Sequence, residues 1–377
     1  MEYKKLGDIA TYINGYPFKP EDRGECGLPI IRIQDLTGNT YDLGYYDGKC
    51  PERIEINNGD ILISWSASLG VYVWNRGKAL LNQHIFKVVF DKVEINKRYF
   101  VYAVQFKLKE MEAKTHGATM KHIVKKDFDS TLIPYPSLKE QSRIAETIDS
   151  IAKTINMRQK ELQKLDDLVK ARFVELFGDP LIESGRYPKV PLGGLTEVGS
   201  SKRIFEKEYV SEGVPFYRTK EIVELSKGNR ITTELFITKE RYDEIRSEYG
   251  VPQKGDLLIS AVGTIGVIWI VDGKNDFYYK DGNLLRVSAT ERFVPEYLKH
   301  LLEALIGAYK SEMSSGTAYA ALTISALKEM MVYDVPYAKQ KQFAAFITQI
   351  YKSKAAIQKA LDEAQLLFDS LMQQYFS

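Results

Sequence analysis

Residues 59–64 read Gly-Asp-Ile-Leu-Ile-Ser, and residues 255–260 read Gly-Asp-Leu-Leu-Ile-Ser. In each, a turn-forming Gly-Asp pair launches an apolar run too short for a helix and suited to a strand buried on both faces. Matches extend outward from both hexapeptides in the same order. Leu6-Gly7 recurs as Leu192-Gly193, and Gly27-Leu28-Pro29-Ile30-Ile31-Arg32 recurs as Gly213-Val214-Pro215-Phe216-Tyr217-Arg218. Downstream, Leu69-Gly70-Val71 is answered by Ile265-Gly266-Val267, and Phe86-Lys87-Val88 by Leu285-Arg286-Val287. An ordered series with only short shifts of register marks an internal duplication.

That alignment sets Asn82, Gln83 and His84 opposite Asp281, Gly282 and Asn283, so apolar frameworks agree where polar tips differ. Each copy continues into an amphipathic helix, Tyr99 to Lys114 or Tyr297 to Met313, and then a glycine turn, Gly117-Ala118-Thr119 or Gly316-Thr317-Ala318.

Each copy ends in a long helix. Ser137-Leu138-Lys139-Glu140 has the pattern of a capping box. Beyond it Ile144, Ile148, Ile151, Ile155, Leu162, Leu165, Val169 and Leu176 recur in steps of four and three, broken by Arg158 and Arg172, until Gly178-Asp179-Pro180. The second copy carries Phe343, Ile347, Ile350, Ile357, Leu361, Ala364, Phe368, Leu371 and Tyr375, with Lys354 as its polar break. About 40 residues at 1.5 Å each make each helix roughly 60 Å long, and an apolar stripe of that length needs a partner. The linker 179–189 is too short to return the chain, so the helices are expected to pair antiparallel. The predicted fold is α/β (mixed α+β): two similar globular domains, 1–136 and 190–335, separated by long helices 137–178 and 336–377 that form a pseudo-two-fold coiled-coil spacer.

The chain has 377 residues, 44% hydrophobic and 27% charged, with a net charge of +2. Basic and acidic residues balance in both halves, so any nucleic-acid binding rests on local patches rather than a polybasic arm. Cys26 and Cys50 stand apart without metal-ligand spacing and read as reduced packing residues. Met1 to Lys5 is charged at once and lacks a signal-peptide core, so a cytoplasmic location is expected. The most hydrophobic stretch, Leu257 to Val271, is interrupted by Gly263 and Gly266 and reads as two buried strands rather than a membrane span.

Motifs for chemistry are missing from the sequence. His84, His116, His122 and His300 are scattered, and there is no phosphate loop, no nucleophile elbow and no Asn-Pro-Pro-aromatic tetrad of amino-methyltransferases. No catalytic, metal-binding or cofactor-binding residue is expected. By contrast, Lys114 to Lys126 carries Lys114, Lys121, Lys125 and Lys126 with His116 and His122 and no acid, a composition suited to a phosphate backbone.

The order Arg32-Ile33-Gln34-Asp35-Leu36, Gly59-Asp60-Ile61-Leu62, Asn82-Gln83-His84, Gly117-Ala118-Thr119 and Glu140-Gln141 resembles the specificity subunit of Type I DNA restriction-modification systems, over essentially the whole chain. The second copy departs from the pattern, with Gln340 and Gln342 where a Glu-Gln pair is expected and Asp281-Gly282-Asn283 in place of Asn-Gln-His. The resemblance implies two target-recognition domains, each reading half of an asymmetric split DNA sequence, with the helices as a ruler for the unread spacer. It also implies two methyltransferase subunits carrying S-adenosylmethionine, and restriction-translocase subunits using ATP and Mg. Candidate DNA contacts are Arg32, Gln34, Lys78, Asn82, Gln83, His84, Lys121 and His122 in the first copy. In the second they are Arg218, Lys220, Lys280, Asn283, Thr317 and Tyr319. Arginine favours guanine in the major groove, and Gln or Asn favours adenine. The arginines shared by both frameworks could equally pin a loop. A repeat-built scaffold that binds proteins and never touches DNA is the competing reading.

Overall fold

The computed structural model describes residues 2–39, 42–114, 123–182, 186–313 and 321–377. The chain forms two compact units, one of residues 1–160 and 358–377 and the other of residues 161–357, so each takes part of both long helices.

In the first unit the hexapeptide strand Ile61–Ser64 lies between Ile85–Val89 and Gly70–Val73, with Thr11–Asn14 beyond Ile85–Val89, all antiparallel. Ile61 and Ile63 face the core under the helices, and Leu62 faces a second core built on Ile31, Ile56 and Leu81. Cores on both faces explain why the run is continuously apolar rather than alternating. The second sheet has the order Tyr45–Tyr46, Leu28–Ile31, Ala79–Leu81, Glu55–Ile56, and its central pair is parallel, with Ile30 opposite Leu80.

The second unit repeats this plan. Leu257–Ser260 lies between Leu284–Val287 and Ile268–Ile270, with Val198–Ser200 outermost, and Val214–Tyr217 runs parallel to Tyr278–Tyr279. The two strands expected within Leu257 to Val271 are present and antiparallel. Leu257 and Ile259 face one core and Leu258 the other. The repeated Gly27 and Gly213 have positive φ, and a Cβ on either would meet a backbone oxygen at 2.2 or 2.3 Å, so only glycine fits before these strands. Strands Tyr3–Lys5 and Lys189–Pro191 close their units by pairing with Leu132–Pro134 and Met331–Tyr333.

The first long helix is Leu138–Phe177 and the second Tyr337–Phe376. Ile144, Ala145 and Ile148 share the first unit's core with Met372 and Phe376, while Val169, Phe173 and Phe177 share the second unit's core with Phe343 and Ile347. The start of the first helix thus shares a core with the end of the second in one unit, and the end of the first shares a core with the start of the second in the other. Phe177 lies 4.8 Å from Tyr297, and Phe376 lies 5.2 Å from Tyr99, the same aromatic pairing twice. The stripe departs from the sequence reading at the helix ends. There Phe173, Phe177, Met372 and Phe376 are buried in preference to Leu176, Leu371 and Tyr375, because the seam has rotated into the domain core. Lys354, the polar break, bonds Asp166 at 2.6 Å.

Only half of the capping box forms. Ser137 Oγ accepts the Glu140 N–H at 3.4 Å, but the Glu140 carboxylate turns to Arg143 at 2.6 and 2.9 Å. What repeats is the next residue. Gln141 Oε1 accepts the Asn96 N–H and its Nε2 donates to the Pro136 carbonyl; Gln340 does the same with Val294 and Val335, adding the Arg292 carbonyl. The counterpart of Glu140-Gln141 is therefore Lys339-Gln340, not the Gln340 and Gln342 pair. Cys26 is exposed rather than packed, and Cys50 is half-buried.

Candidate nucleic-acid interface

In the first unit the turn Asn82-Gln83-His84 joins Ala79–Leu81 to Ile85–Val89. The Asn82 N–H donates to the Ile31 carbonyl at 3.0 Å, and the Trp65 N–H donates to the His84 carbonyl at 3.3 Å. In the second unit the same frame is drawn by Lys280 N–H to the Tyr217 carbonyl at 2.9 Å and Ala261 N–H to the Asn283 carbonyl at 2.8 Å. Asn82 therefore corresponds to Lys280, and the second turn holds one extra residue; the correspondence of Asn82 with Asp281 is corrected. The left-handed position also moves, from His84 (φ 71°) to Gly282 (φ 68°). Such conformations favour glycine, so His84 is held there by its surroundings.

Gln83 is exposed, while the Asn82 carboxamide oxygen accepts the Gln83 N–H at 2.8 Å. The His84 ring meets Trp65 edge-on with centroids 4.9 Å apart, and its Nδ1 is buried without a hydrogen-bond partner. Trp65 donates its Nε1 proton to Asn14 at 3.3 Å and stacks on Phe86. Asn14, Trp65, Phe86, Ile123, Val124 and Lys125 line a recess of about 240 Å³. Sequence reasoning missed Trp65 and Asn14, although a tryptophan opposite Ala261 in a matched strand frame was the available signal.

Arg32 and Gln34 follow Leu28–Ile31 and lie at the same sheet edge as the Asn82 turn. Arg32 turns inward: its backbone N–H and Nε donate to Asp35 Oδ2 at 2.8 and 3.3 Å, and a terminal nitrogen reaches the Asp42 carbonyl. Arg218 repeats the device with Glu221, at 2.8 Å from its backbone and 3.2 Å from its side chain. Asp35 and Glu221 are each 2% exposed, and buried carboxylates need such counter-ions. Lys220 lies 3.5 Å from Glu221 and remains half-exposed. Lys78 sits at the far end of the short strand from Asn82, roughly 13 Å away at 3.3 Å per residue. Its ammonium bonds Glu55 at 2.7 Å, which holds it protonated above the usual lysine range. Lys78 is thus not brought to the turn. Lys121, His122, Thr317 and Tyr319 lie outside the described residues.

At the second turn Asn283 is exposed, and Lys280 lies 3.8 Å from Asp281. Arg203, absent from the sequence candidates, donates Nε to Asp281 Oδ2 at 2.7 Å. It stands just after Val198–Ser200, where the repeat offers no matched residues to draw attention to it. Among the described residues no group of three or more His, Cys, Asp or Glu could hold a metal, and no helix is long and apolar enough to cross a membrane.

The family model for the Type I restriction modification DNA specificity domain matches twice, at residues 1–167 and 186–365. The EcoBI specificity subunit of Escherichia coli is 25% identical over 98% of this chain and 83% of its own length. A putative type I restriction enzyme specificity subunit of Haemophilus influenzae is 25% identical over 92% of this chain and 86% of its own. Among solved structures, the S subunit of a Type I restriction-modification system from M. genitalium superposes with a TM-score of 0.56 at 16% identity, covering 100% of this chain and 96% of that one.

Proposed function

Given that the chain belongs to the Type I restriction modification DNA specificity family, we propose that each unit reads one half of a split, asymmetric DNA target. The observation that carries this reading is the pair of equivalent turns. Matching backbone hydrogen bonds hold Asn82-Gln83-His84 in one unit and Lys280 to Asn283 in the other. Turns anchored alike at both ends but differing in length and in their donors and acceptors suit two readers of different base sequences. Gln34, Asn82, Gln83 and His84 make the base contacts of the first reader, and Lys280 and Asn283 those of the second, with Lys220 on phosphate. Recognition domains 1–136 and 190–335 do the reading, and helices 137–178 and 336–377 set the unread gap.

The chain itself carries out no chemistry. Adenine modification belongs to two methyltransferase subunits with S-adenosylmethionine, and cleavage to restriction-translocase subunits with ATP and Mg, all in the cytoplasm. Leu366 and Leu367 on the second long helix are 73% and 51% exposed, and Leu168 and Val174 on the first are each 46% exposed. Apolar side chains left in solvent on these helices suit subunit docking.

The test is footprinting of the assembled methyltransferase complex on genomic DNA of the host. Two protected patches separated by an unread gap support the reading. Uniform coverage without a preferred site would leave the protein-binding scaffold in its place.

A further inference from the structure

Resting on that reading, we propose that Arg203 reads a guanine in the half-site of the second unit, with Asp281 as its positioning residue. The ion pair is asymmetric: the Asp281 side chain is 11% exposed and that of Arg203 67%. The carboxylate is therefore set into the wall while the guanidinium stands in solvent. The bond at 2.7 Å uses Nε, and the two terminal nitrogens make no hydrogen bond among the described residues. They form the planar fork whose spacing matches O6 and N7 of guanine in the major groove.

Both ends of the pair are anchored. The Lys202 N–H donates to the Tyr278 hydroxyl at 2.6 Å, fixing the backbone beside Arg203. The Gly282 N–H donates to Ser200 Oγ at 3.2 Å, and that hydroxyl donates to the Leu284 carbonyl at 2.9 Å, fixing the turn that carries Asp281. A guanidinium already oriented gives up less freedom on binding, which favours a directional contact. Lys280 also stands 3.8 Å from Asp281, so the carboxylate keeps a counter-ion when the exposed guanidinium turns to a base. The equivalent turn of the first unit presents the amides of Asn82 and Gln83 and the ring of His84, groups suited to other base edges. The two halves of the target then differ at this position, with guanine read by the second unit.

The experiment uses the full chain assembled with its methyltransferase subunits, and a panel of duplexes in which each base pair of the target is varied in turn. Wild type is expected to prefer G·C at one position of the second half by roughly 5- to 150-fold. Arg203→Ala should flatten that position alone, leaving the first half unchanged and lowering the melting temperature only slightly, because Lys280 remains beside Asp281. Arg203→Lys should restore it only in part, because an ammonium can donate to O6 and N7 but lacks the fixed planar fork, and Asp281→Asn should weaken the preference in the same direction. The proposal is overturned if Arg203→Ala leaves every position as it was. It is equally overturned if that variant weakens all sequences alike with a shallower salt dependence, the signature of a phosphate contact. Should wild type discriminate in neither half, the reading of the whole chain as a DNA reader fails first.

Discussion

Replacing Gln340 by leucine keeps the side-chain volume and deletes the amide that ties the second long helix to its domain. Gln340 is fully buried; its Oε1 accepts the Val294 N–H at 2.8 Å, and its Nε2 donates to the carbonyls of Val335 at 2.8 Å and Arg292 at 3.0 Å. The substitution leaves one buried N–H and two carbonyls short of partners. A buried polar group stripped of its hydrogen bond costs about 1–3 kcal/mol. Carbonyls, with two lone pairs, tolerate the loss better than an N–H. The expected loss is therefore roughly 2–5 kcal/mol, dominated by Val294. Gln141→Leu removes two such bonds, to Asn96 and Pro136, and should cost somewhat less. A chain of two units need not unfold in one step, so the assay is hydrogen exchange resolved by peptide, read over Pro295–Met313 and the first turns of Tyr337–Phe376. A loss below about 1 kcal/mol would show that the glutamine is not the junction.

Other changes separate core from surface and structure from reading. Ile148→Ala, at a fully buried position in the first unit's core, should destabilise by about 2–5 kcal/mol in urea unfolding followed by circular dichroism. Lys354→Ala breaks the bond to Asp166, whose side chain is about half-exposed, so the same assay should register less than about 1 kcal/mol. Gln83→Ala should leave stability alone and change base preference in the first half-site only, measured by binding of the assembled complex to single-base variants.

Much of the fold was legible because its signals are local and periodic. The long helices run Leu138–Phe177 and Tyr337–Phe376, within a residue or two of the sequence reading. The hexapeptide strands follow from an apolar run opened by a Gly-Asp turn. The parallel pairing of Leu28–Ile31 with Ala79–Leu81 was not legible, since strand pairing at long separation leaves no local pattern. Neither was the choice of Phe173 and Phe177 over Leu176, which the domain core decides rather than the helix repeat. At the interface, residue type suggested arginine for DNA. Whether Arg32 faces outward depends on Asp35, a buried carboxylate whose need for a counter-ion appears only in three dimensions. The extra residue in the second turn likewise emerges from hydrogen bonds, because side-chain type does not separate Lys280 from Asp281 as the counterpart of Asn82.

The most direct measurement is a map of methylated adenines, by long-read sequencing, in cells carrying this chain with its methyltransferase partner and in cells lacking it. One motif of two unlike halves, separated by a gap of constant length and abolished when the chain is removed, is the expected result. A palindromic or continuous motif, or a pattern unchanged by its removal, would contradict two different readers in one polypeptide.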